Sequence, residues 1–378
     1  MRSQIDFLLG DEAVSVSGIA PELTVLEWLR LKGRVGTKEG CAEGDCGACT
    51  VVVAEHHVNG GLSYRAVNSC IQPMVSLDGR QLITVEDLAE DLDDGGRNGI
   101  TRLHPVQQAM VDHHGSQCGY CTPGFVMSMF AMVHQAEPPE INEVLAGNLC
   151  RCTGYAPIRR ACHQALSQAE ADRWGVAEAE TAVQLRSLQA SDIVRLSNGE
   201  RQVLAPRSLD ELLEMLGKYP DAVLVAGATD VGLWLTKQLK RFDTMIYVGE
   251  VAELKRISVG EEWIDIGAAV TYSEAMPVLG EHFPDLRPML SRLGGLQVRN
   301  AGTIGGNIAN GSPIGDSPPP LIALGSHLVL TSSKGQREIE LEKFFIEYGK
   351  QDLRPGECVA KVRIPRPDAG LKFRTYKL

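Results

Sequence analysis

The stretch that decides the first fold reads Gly40-Cys41-Ala42-Glu43-Gly44-Asp45-Cys46-Gly47-Ala48-Cys49. Its spacing, C-x4-C-x2-C followed by one later cysteine, is typical of a plant-type [2Fe–2S] loop. The glycines allow the backbone to wrap closely around a ligand, which frees N–H groups to bond sulfur. A structural zinc site is the alternative, but zinc usually takes paired C-x2–4-C knuckles, which fit this spacing poorly. The stretch therefore predicts an iron–sulfur centre with four thiolate ligands, namely Cys41, Cys46, Cys49 and Cys70.

A second set of four cysteines has a different spacing. Cys118 and Cys121 form a C-x2-C pair, and Cys150 and Cys152 form a C-x-C pair. Each pair lies just before a candidate helix, whose N-terminus carries partial positive charge and free N–H groups that suit anionic thiolates. Taken alone, this set could bind zinc, and the presence of the first set favours a second iron–sulfur centre. Two such centres in one chain indicate electron transfer over a distance.

Composition and charge narrow the class of protein. The chain has 378 residues, of which 44% are hydrophobic and 22% are charged, as expected for two or three globular domains. The net charge of −11 argues against nucleic acid as a partner, because an acidic surface gains nothing from counterion release. No apolar run approaches the roughly eighteen residues of a membrane span, and the first residues lack the features of a secretory signal. We therefore expect a cytoplasmic protein, in which clustered cysteines are metal ligands rather than disulfides.

The pattern of apolar and turn residues divides the chain into four segments. Residues 1–85 are β-rich and residues 86–170 are helical. Residues 171–202 are polar and rich in Ala, Glu and Gln, which predicts an interdomain linker. Residues 203–378 mix strands with helices.

The same patterns predict individual elements. Strands are expected over 5–9, 14–16, 50–54, 222–226, 246–248, 255–259 and 263–268. Helices are expected over 25–31, 105–113, 124–134, 141–145, 157–167, 209–216 and 231–239. Capping boxes of the form Ser/Thr-x-x-Glu begin at Ser208 and Thr271, so each predicts a helix start.

Two glycine-rich stretches stand out in the last segment. The first, Val225-Ala226-Gly227-Ala228-Thr229-Asp230, follows a predicted strand and opens a candidate helix, so its backbone N–H groups can hold a pyrophosphate. A tight strand–helix turn without a ligand is the alternative. The second stretch, residues 301–316, is too poor in large side chains to be a core element. It offers polar contacts from Thr303, Asn307, Ser312 and Asp316.

Two motifs around the second cysteine set resemble the signature of the molybdenum hydroxylases, the xanthine dehydrogenase family. They read Gly119-Tyr120-Cys121-Thr122-Pro123-Gly124 and Gly147-Asn148-Leu149-Cys150-Arg151-Cys152-Thr153-Gly154-Tyr155. The resemblance covers essentially the whole chain. It implies an α+β multidomain fold: a β-grasp [2Fe–2S] ferredoxin domain, a helical-bundle [2Fe–2S] domain and an α+β FAD-binding domain of the vanillyl-alcohol-oxidase-like type. The family has a further C-terminal flavoprotein lobe. We expect this lobe to be absent after Leu378 or to be a separate chain.

The resemblance also implies roles for the two glycine-rich stretches. Residues Val225–Asp230 would hold the FAD pyrophosphate, and Thr303–Asp316, including Gly306, would hold the ribityl and phosphate groups. Lys377 corresponds to a lysine near the flavin ring. Many bacterial relatives have a second glycine at the position of Ala228, so the methyl group there departs from the family pattern.

For function, the resemblance implies the small, redox subunit of a bacterial two-subunit enzyme. A partner chain with molybdopterin would hydroxylate hypoxanthine or xanthine, and electrons would pass through the second cysteine set, the first set and FAD to NAD+. The expected assembly is a dimer of heterodimers with that molybdopterin-binding large chain. No residue of this chain is expected to act as an acid or base on the substrate. Two alternatives remain: the redox subunit of another molybdenum hydroxylase, acting on aldehydes or heteroaromatic compounds, and a zinc-bound assembly module.

Overall fold

The computed structural model describes residues 1–57, 60–92, 100–168, 172–368 and 370–377. The chain is a mixed α/β protein with a β-rich first part, a helical second part and a larger α+β third part. Within the described residues, no helix combines the length and the apolar character needed to cross a membrane.

The first part is a five-stranded sheet with one helix packed across it. Its elements are β1 (Gln4–Leu9), β2 (Glu12–Ser17), α1 (Val25–Leu31), β3 (Thr50–His56), β4 (Leu62–Asn68) and β5 (Gln81–Ile83). The strand order is β2-β1-β5-β3-β4, in which β1 and β5 are parallel and the other neighbours are antiparallel. A capping box between Thr24 and Glu27 begins α1. The strands and the helix predicted for this part are confirmed.

The second part is helical apart from one short strand pair. Its elements are β6 (Glu90–Leu92), β7 (Ile100–Arg102), α2 (Pro105–Asp112), α3 (Thr122–Val133), α4 (Ile141–Leu145) and α5 (Ala156–Ser167). Nine consecutive residues of α3 are buried, because this helix packs between the sheet of the first part and the other helices. The four helices agree with the sequence prediction to within two residues at each end.

Much of the predicted linker is regular structure. It contains α6 (Arg173–Leu188), and its β8 (Val194–Asn198) joins a sheet of the third part. The composition predicts a linker here because only a few side chains of α6 are both apolar and buried. These are Trp174, Ala182 and Leu185. The four-segment boundaries stay predictions.

In the described residues, the third part contains a four-stranded sheet, a five-stranded sheet and the two-stranded pair β16-β17, with helices around them. Its elements are β9 (Arg201–Ala205), α7 (Leu209–Lys218), β10 (Val223–Val225), α8 (Val231–Thr236), β11 (Thr244–Tyr247), β12 (Ile257–Val259), β13 (Trp263–Gly267), α9 (Tyr272–His282), α10 (Arg287–Leu290), α11 (Leu296–Ala301), α12 (Ile304–Asn310), α13 (Pro318–Ala323), β14 (His327–Ser332), β15 (Gly335–Glu340), α14 (Leu341–Phe344), β16 (Phe345–Glu347), β17 (Lys350–Gln351) and β18 (Cys358–Pro365). The order β10-β11-β9-β8 is parallel except for the last pair, and β12-β13-β18-β14-β15 is antiparallel. The capping boxes at Ser208 and Thr271 are confirmed.

The prediction that the second glycine-rich stretch is not a core element is wrong, because part of it does contribute to the core. Ile304 and Ile308, one turn apart on α12, are both fully buried in the largest core cluster of the third part. The glycines allow this helix to lie directly on its neighbour: a Cβ on Gly305 would be 2.5 Å from Cα of Ala268. Two isoleucines at i and i+4 are enough for one buried face, which a count of large side chains does not detect.

Buried ion pairs join the first part to the third. The carboxylate of Asp78 is almost fully buried and pairs with the guanidinium groups of Arg2 and Arg207. Arg80 donates to Glu250 at 2.6 Å across the same interface. Because breaking a buried pair leaves an uncompensated charge, these contacts fix how the two parts are docked.

Asp172 connects α6 to the second part. Its carboxylate caps α6 through the N–H of Gly175 and lies 2.6 Å from Nε2 of His104 and 3.1 Å from Nε2 of His134. Burial raises the pKa of Asp172, but the hydrogen bonds to the two histidines outweigh burial and hold it well below its ordinary value. The carboxylate therefore contributes stability above the ordinary pKa, and the contribution is lost as pH falls below about 4.

We expect Asp172→Asn to lower the free energy of unfolding by about 2 kcal/mol at neutral pH, since a charge-assisted hydrogen bond is lost. The variant should also lose part of the wild-type decrease in stability between neutral and acidic pH. Denaturant unfolding followed at several pH values measures both effects. Asp221→Asn, at an exposed position, is the matched control, and equal acid sensitivity of Asp172→Asn and wild type would contradict the assignment.

Candidate functional site

The first cysteine set is formed by one loop and two strand ends. Cys41 and Cys46 lie in the loop between α1 and β3 and are half-buried, whereas Cys49 and Cys70 are buried. The loop folds back so that the backbone N–H groups of Glu43 and Cys46 point to Sγ of Cys41, at 3.5 and 3.4 Å. Backbone donors of this kind stabilise negative charge on sulfur.

The thiols of the first set lie close enough to share protons. A hydrogen bond from the thiol of Cys70 lowers the pKa of Cys41 to about 3, against the effect of burial. The pKa of Cys70 is raised by its hydrogen bonds to Cys41 and Cys49, and burial raises that of Cys46. The four sulfurs therefore form one interacting site in which thiolate character is already present.

The second cysteine set lies at the starts of two helices, as predicted. Cys121 immediately precedes α3, and the loop with Cys150 and Cys152 leads into α5. Tyr155 adopts a left-handed conformation with φ of 69°, and its hydroxyl accepts from the N–H of Cys150 at 3.0 Å. The hydroxyl of Thr153 lies 3.2 Å from Sγ of Cys150.

The thiols of the second set interact as two pairs. The backbone N–H of Tyr120 and then the thiol of Cys152 lower the pKa of Cys118, whereas the same pairing raises that of Cys152. Burial and a hydrogen bond with Cys150 raise the pKa of Cys121 to about 12. Charge interactions link the two pairs into one group of four.

The donor chemistry of both sets fits a [2Fe–2S] cluster, which requires four thiolates. In the described part of the chain, no group of three or more His, Cys, Asp or Glu side chains is arranged to hold a single metal ion. In each set the thiols are hydrogen-bonded in pairs, and backbone or hydroxyl donors lie next to Sγ of Cys41 and Cys150. The assignment of the eight cysteines as ligands remains a proposal.

The two sets are adjacent but differ in exposure. The N–H of Leu149, next to Cys150, donates to the carbonyl of Cys46 at 2.9 Å, so the two cysteine loops are hydrogen-bonded to each other. Cys118 and Cys152 are exposed. The second set is therefore open to solvent on one side, whereas two cysteines of the first set are buried.

The two glycine-rich stretches of the third part line one cavity of about 790 Å³. This is a size typical of cofactor and ligand sites. The sequence-predicted residues in its lining are Ala226, Gly227, Ala228, Thr229, Asp230, Thr303, Gly306 and Asn307. Burial raises the pKa of Asp230.

Four other predicted residues lie outside this lining: Val225, Ser312, Asp316 and Lys377. Val225 is buried in the core, at the end of β10. Lys377 donates to Asp316 at 2.5 Å and to the carbonyl of Arg292 at 2.9 Å, so the two charged residues pair with each other. Their predicted contact with a flavin is not tested by this arrangement.

The turn that begins the cavity is tightly packed. A Cβ on Gly227 would lie 1.7 Å from the carbonyl oxygen of Ala301, so only glycine fits between the two stretches. Ala228 has φ of 57°, a left-handed conformation that costs about 1–2 kcal/mol for a residue with a side chain. Position 228, at which the resemblance led us to expect glycine, thus has a backbone conformation that favours glycine.

Other parts of the lining were not predicted. Tyr272 is buried, and its hydroxyl lies 2.8 Å from Oγ of Ser317, while residues 353–359 form another part of the wall. The only sequence signal in that wall is the dipeptide Pro355-Gly356, which indicates a turn but no ligand. These residues come to the cavity through the sheet topology, because they lead into and begin β18.

Helix α8 connects the cavity to the first cysteine set. It begins directly after the Ala226–Asp230 turn, and its Leu233 packs with a small core that includes Cys49 and Cys70. On the same helix, the hydroxyl of Thr236 donates to the carbonyl of Ala42 at 2.7 Å. The first set therefore contacts a helix that borders the cavity.

Three family models match consecutive parts of the chain. Residues 9–73 match the 2Fe-2S iron-sulfur cluster binding domain, residues 84–163 match the [2Fe-2S] binding domain, and residues 198–367 match the FAD binding domain in molybdopterin dehydrogenase. Each cysteine set falls within one of the first two matches, and both glycine-rich stretches fall within the third.

The chain is also similar to xanthine dehydrogenases and to molybdenum enzymes of known structure. It is 31% identical to xanthine dehydrogenase of Emericella nidulans and to xanthine dehydrogenase/oxidase of Rattus norvegicus, with 99% of this chain and 31% of each relative covered. The chain thus spans about a third of the length of these relatives.

Among solved structures, quinoline 2-oxidoreductase from Pseudomonas putida 86 is 30% identical with a TM-score of 0.42, covering 43% of this chain and 58% of that one. Reconstituted CO dehydrogenase from Oligotropha carboxidovorans is 27% identical with a TM-score of 0.42, covering 44% and 59%. The sequence matches place this chain in the molybdenum hydroxylase family, as an electron-transfer module with two [2Fe–2S] domains followed by the FAD-binding domain of molybdopterin dehydrogenases.

Proposed function

We propose that this chain is the redox subunit of a cytoplasmic xanthine dehydrogenase. A molybdopterin-binding partner chain hydroxylates hypoxanthine or xanthine, and this chain conducts the electrons to NAD+ in a dimer of heterodimers. The observation that carries the proposal is the series of contacts that joins the two cysteine sets and the cavity of the third part. The exposed second cysteine set is hydrogen-bonded to the first set, and α8 joins the first set to the cavity of the FAD-binding domain.

The proposed ligands follow from the two sets and the cavity. Cys41, Cys46, Cys49 and Cys70 would hold one [2Fe–2S] cluster, and Cys118, Cys121, Cys150 and Cys152 would hold the other. FAD would bind through residues 225–230 and 303–316, with Lys377 near its ring. When bound, the clusters supply one-electron transfer, and FAD supplies the exchange between single electrons and the electron pair that NAD+ takes.

The protein itself supplies position, burial and charge stabilisation. Backbone donors to Cys41 and the hydroxyl of Thr153 beside Cys150 favour anionic sulfur. Burial of Cys49 and Cys70 keeps water from the inner site, while exposure of Cys118 and Cys152 leaves the outer site accessible to a partner. These differences support an inner site facing the flavin and an outer site facing the molybdopterin chain.

The purified chain should contain about four iron atoms and about four acid-labile sulfides if each set holds a [2Fe–2S] cluster. Cys118→Ser should remove the EPR signal of one reduced cluster and leave the other. Cys162→Ala is the matched control, because Cys162 belongs to neither set and its buried Sγ lies 3.7 Å from Sδ of Met132, so both signals should stay intact. Stoichiometric zinc with little iron would instead support the zinc-bound alternative.

The flavin assignment predicts that Gly227→Ala loses FAD. The added methyl group would collide with the carbonyl of Ala301, so stability should fall by about 2 kcal/mol. Flavin absorbance per chain in the purified complex and thermal unfolding measure the two effects. Gly217→Ala is the control, since no atom lies within 4 Å of its added Cβ and alanine favours a helix. A Gly227→Ala protein with wild-type flavin content would contradict the assignment.

The direction of electron flow is tested in the complex with the molybdopterin chain. Cys150→Ala should stop purine-dependent NAD+ reduction but leave NADH oxidation by an artificial acceptor, which needs only the flavin end. Parallel assays with aldehydes and with other heteroaromatic substrates distinguish the partner's substrate class. Normal NAD+ reduction from purine by the Cys150→Ala complex would show that electrons bypass this site.

A further inference from the structure

A buried carboxamide joins all three parts of the protein. Gln297 of α11 is only 1% exposed, and its Nε2 lies close to three oxygens. The distances are 3.1 Å to Oγ1 of Thr50, 3.1 Å to Oγ of Ser128 and 3.0 Å to Oδ1 of Asn148. Thr50 follows Cys49 directly, Ser128 lies in the helix that begins after Cys121, and Asn148 lies two residues before Cys150.

The hydrogen-bond network determines the orientation of this carboxamide. The hydroxyl of Thr50 donates to the carbonyl of Gly47 at 2.6 Å, and the hydroxyl of Ser128 donates to Oδ1 of Asn148 at 2.7 Å. Both hydroxyls therefore present only lone pairs to Gln297, as does Oδ1 of Asn148. Only an N–H group is compatible with all three neighbours at this position.

The backbones around this network are in direct contact. A Cβ on Gly47 would lie 2.1 Å from the carbonyl oxygen of Gly147, and a Cβ on Gly124 would lie 2.1 Å from that of Gly47. A Cβ on Gly147 would lie 1.9 Å from Oε1 of Gln297. The two loops and the start of α3 thus have no room to shift relative to one another, and the side chain of Gln297 packs against Gly147.

The same junction contains the direct link between the cysteine loops. Asn148, which Gln297 contacts, donates to the carbonyl of Gly47 at 3.0 Å, and the N–H of the next residue, Leu149, donates to Cys46. The carboxamide thus contacts Asn148, the residue next to Leu149, and Thr50, whose hydroxyl donates to the carbonyl of Gly47, the residue next to Cys46. α11 also packs against β4 through Asn300, which donates to the carbonyl of Ala66 at 2.9 Å.

We propose that Gln297 is a positioning residue for electron transfer, which holds both cysteine loops and the FAD-binding domain in one fixed arrangement. The inference rests on the proposed function, because it concerns the spacing of the two clusters that the loops would bind. The inference adds one claim to that function: the side-chain amide of Gln297, in the FAD-binding domain, sets the distance between the two cluster sites.

The test compares Gln297→Glu with Gln184→Glu in the purified cofactor-containing protein. The first change places a carboxylate, which has no donor, against three acceptors, and the second adds the same charge at an exposed position of α6. Gln297→Met removes the donor without adding charge, so it keeps the test available if the glutamate variant does not fold.

Hydrogen exchange of the Leu149 and Thr50 amides is the first measurement, since it reports local opening of the junction whether or not iron is bound. We expect exchange to accelerate about tenfold or more in the Gln297 variants relative to Gln184→Glu. The second measurement is the magnetic interaction between the two reduced clusters in EPR spectra, which should weaken or broaden at unchanged iron and flavin content.

The outcomes separate this inference from the proposed function. Wild-type exchange and an unaltered magnetic interaction in Gln297→Met would overturn the positioning role while leaving the proposed function intact. Absence of iron from the wild-type protein would contradict the proposed function, and hydrogen exchange would still decide whether Gln297 holds the loops together.

Discussion

The hydrogen bond from the N–H of Leu149 to the carbonyl of Cys46 is the contact on which the arrangement of the sites depends. It requires the two cysteine loops to approach until their backbones touch, and Gly47 allows this approach because a Cβ there would lie 2.1 Å from the carbonyl oxygen of Gly147. A methyl group on Gly124 of α3 would meet the carbonyl oxygen of Gly47, and one on Gly147 would meet Oε1 of Gln297. The glycines beside the cysteines therefore matter for the spacing between the two sites as well as for wrapping each site.

The third part of the chain depends on the same junction. α11 reaches it through Gln297, and α8 packs against the inner cysteines through Leu233. Both helices lie next to segments that line the cavity, so the cavity and the first cysteine set are held by shared elements rather than by a flexible connection. Buried ion pairs such as Asp78 with Arg207 also hold the first and third parts together. This continuity is what an electron path through three centres requires.

The sequence was sufficient for the local features and insufficient for the contacts between them. The cysteine spacing and the capping box at Thr271 depend on residues close in the chain, and both are found in the structure. Gln297 could not be recognised from its neighbours, because its partners lie 149 to 247 residues away. The buried face of α12 was missed for a related reason: two isoleucines among glycines carry a weak pattern, and only the strand beside them shows that they are core.

The central claim is that the first cysteine set holds a [2Fe–2S] cluster located between a second cluster and a flavin. Anomalous diffraction from crystals of the cofactor-containing protein, measured at the iron absorption edge, tests it most directly. The account predicts one pair of iron peaks among Cys41, Cys46, Cys49 and Cys70, a second pair among Cys118, Cys121, Cys150 and Cys152, and flavin density in the cavity beside α8. Single peaks at the zinc edge, or flavin density nearer to the second set than to the first, would contradict it.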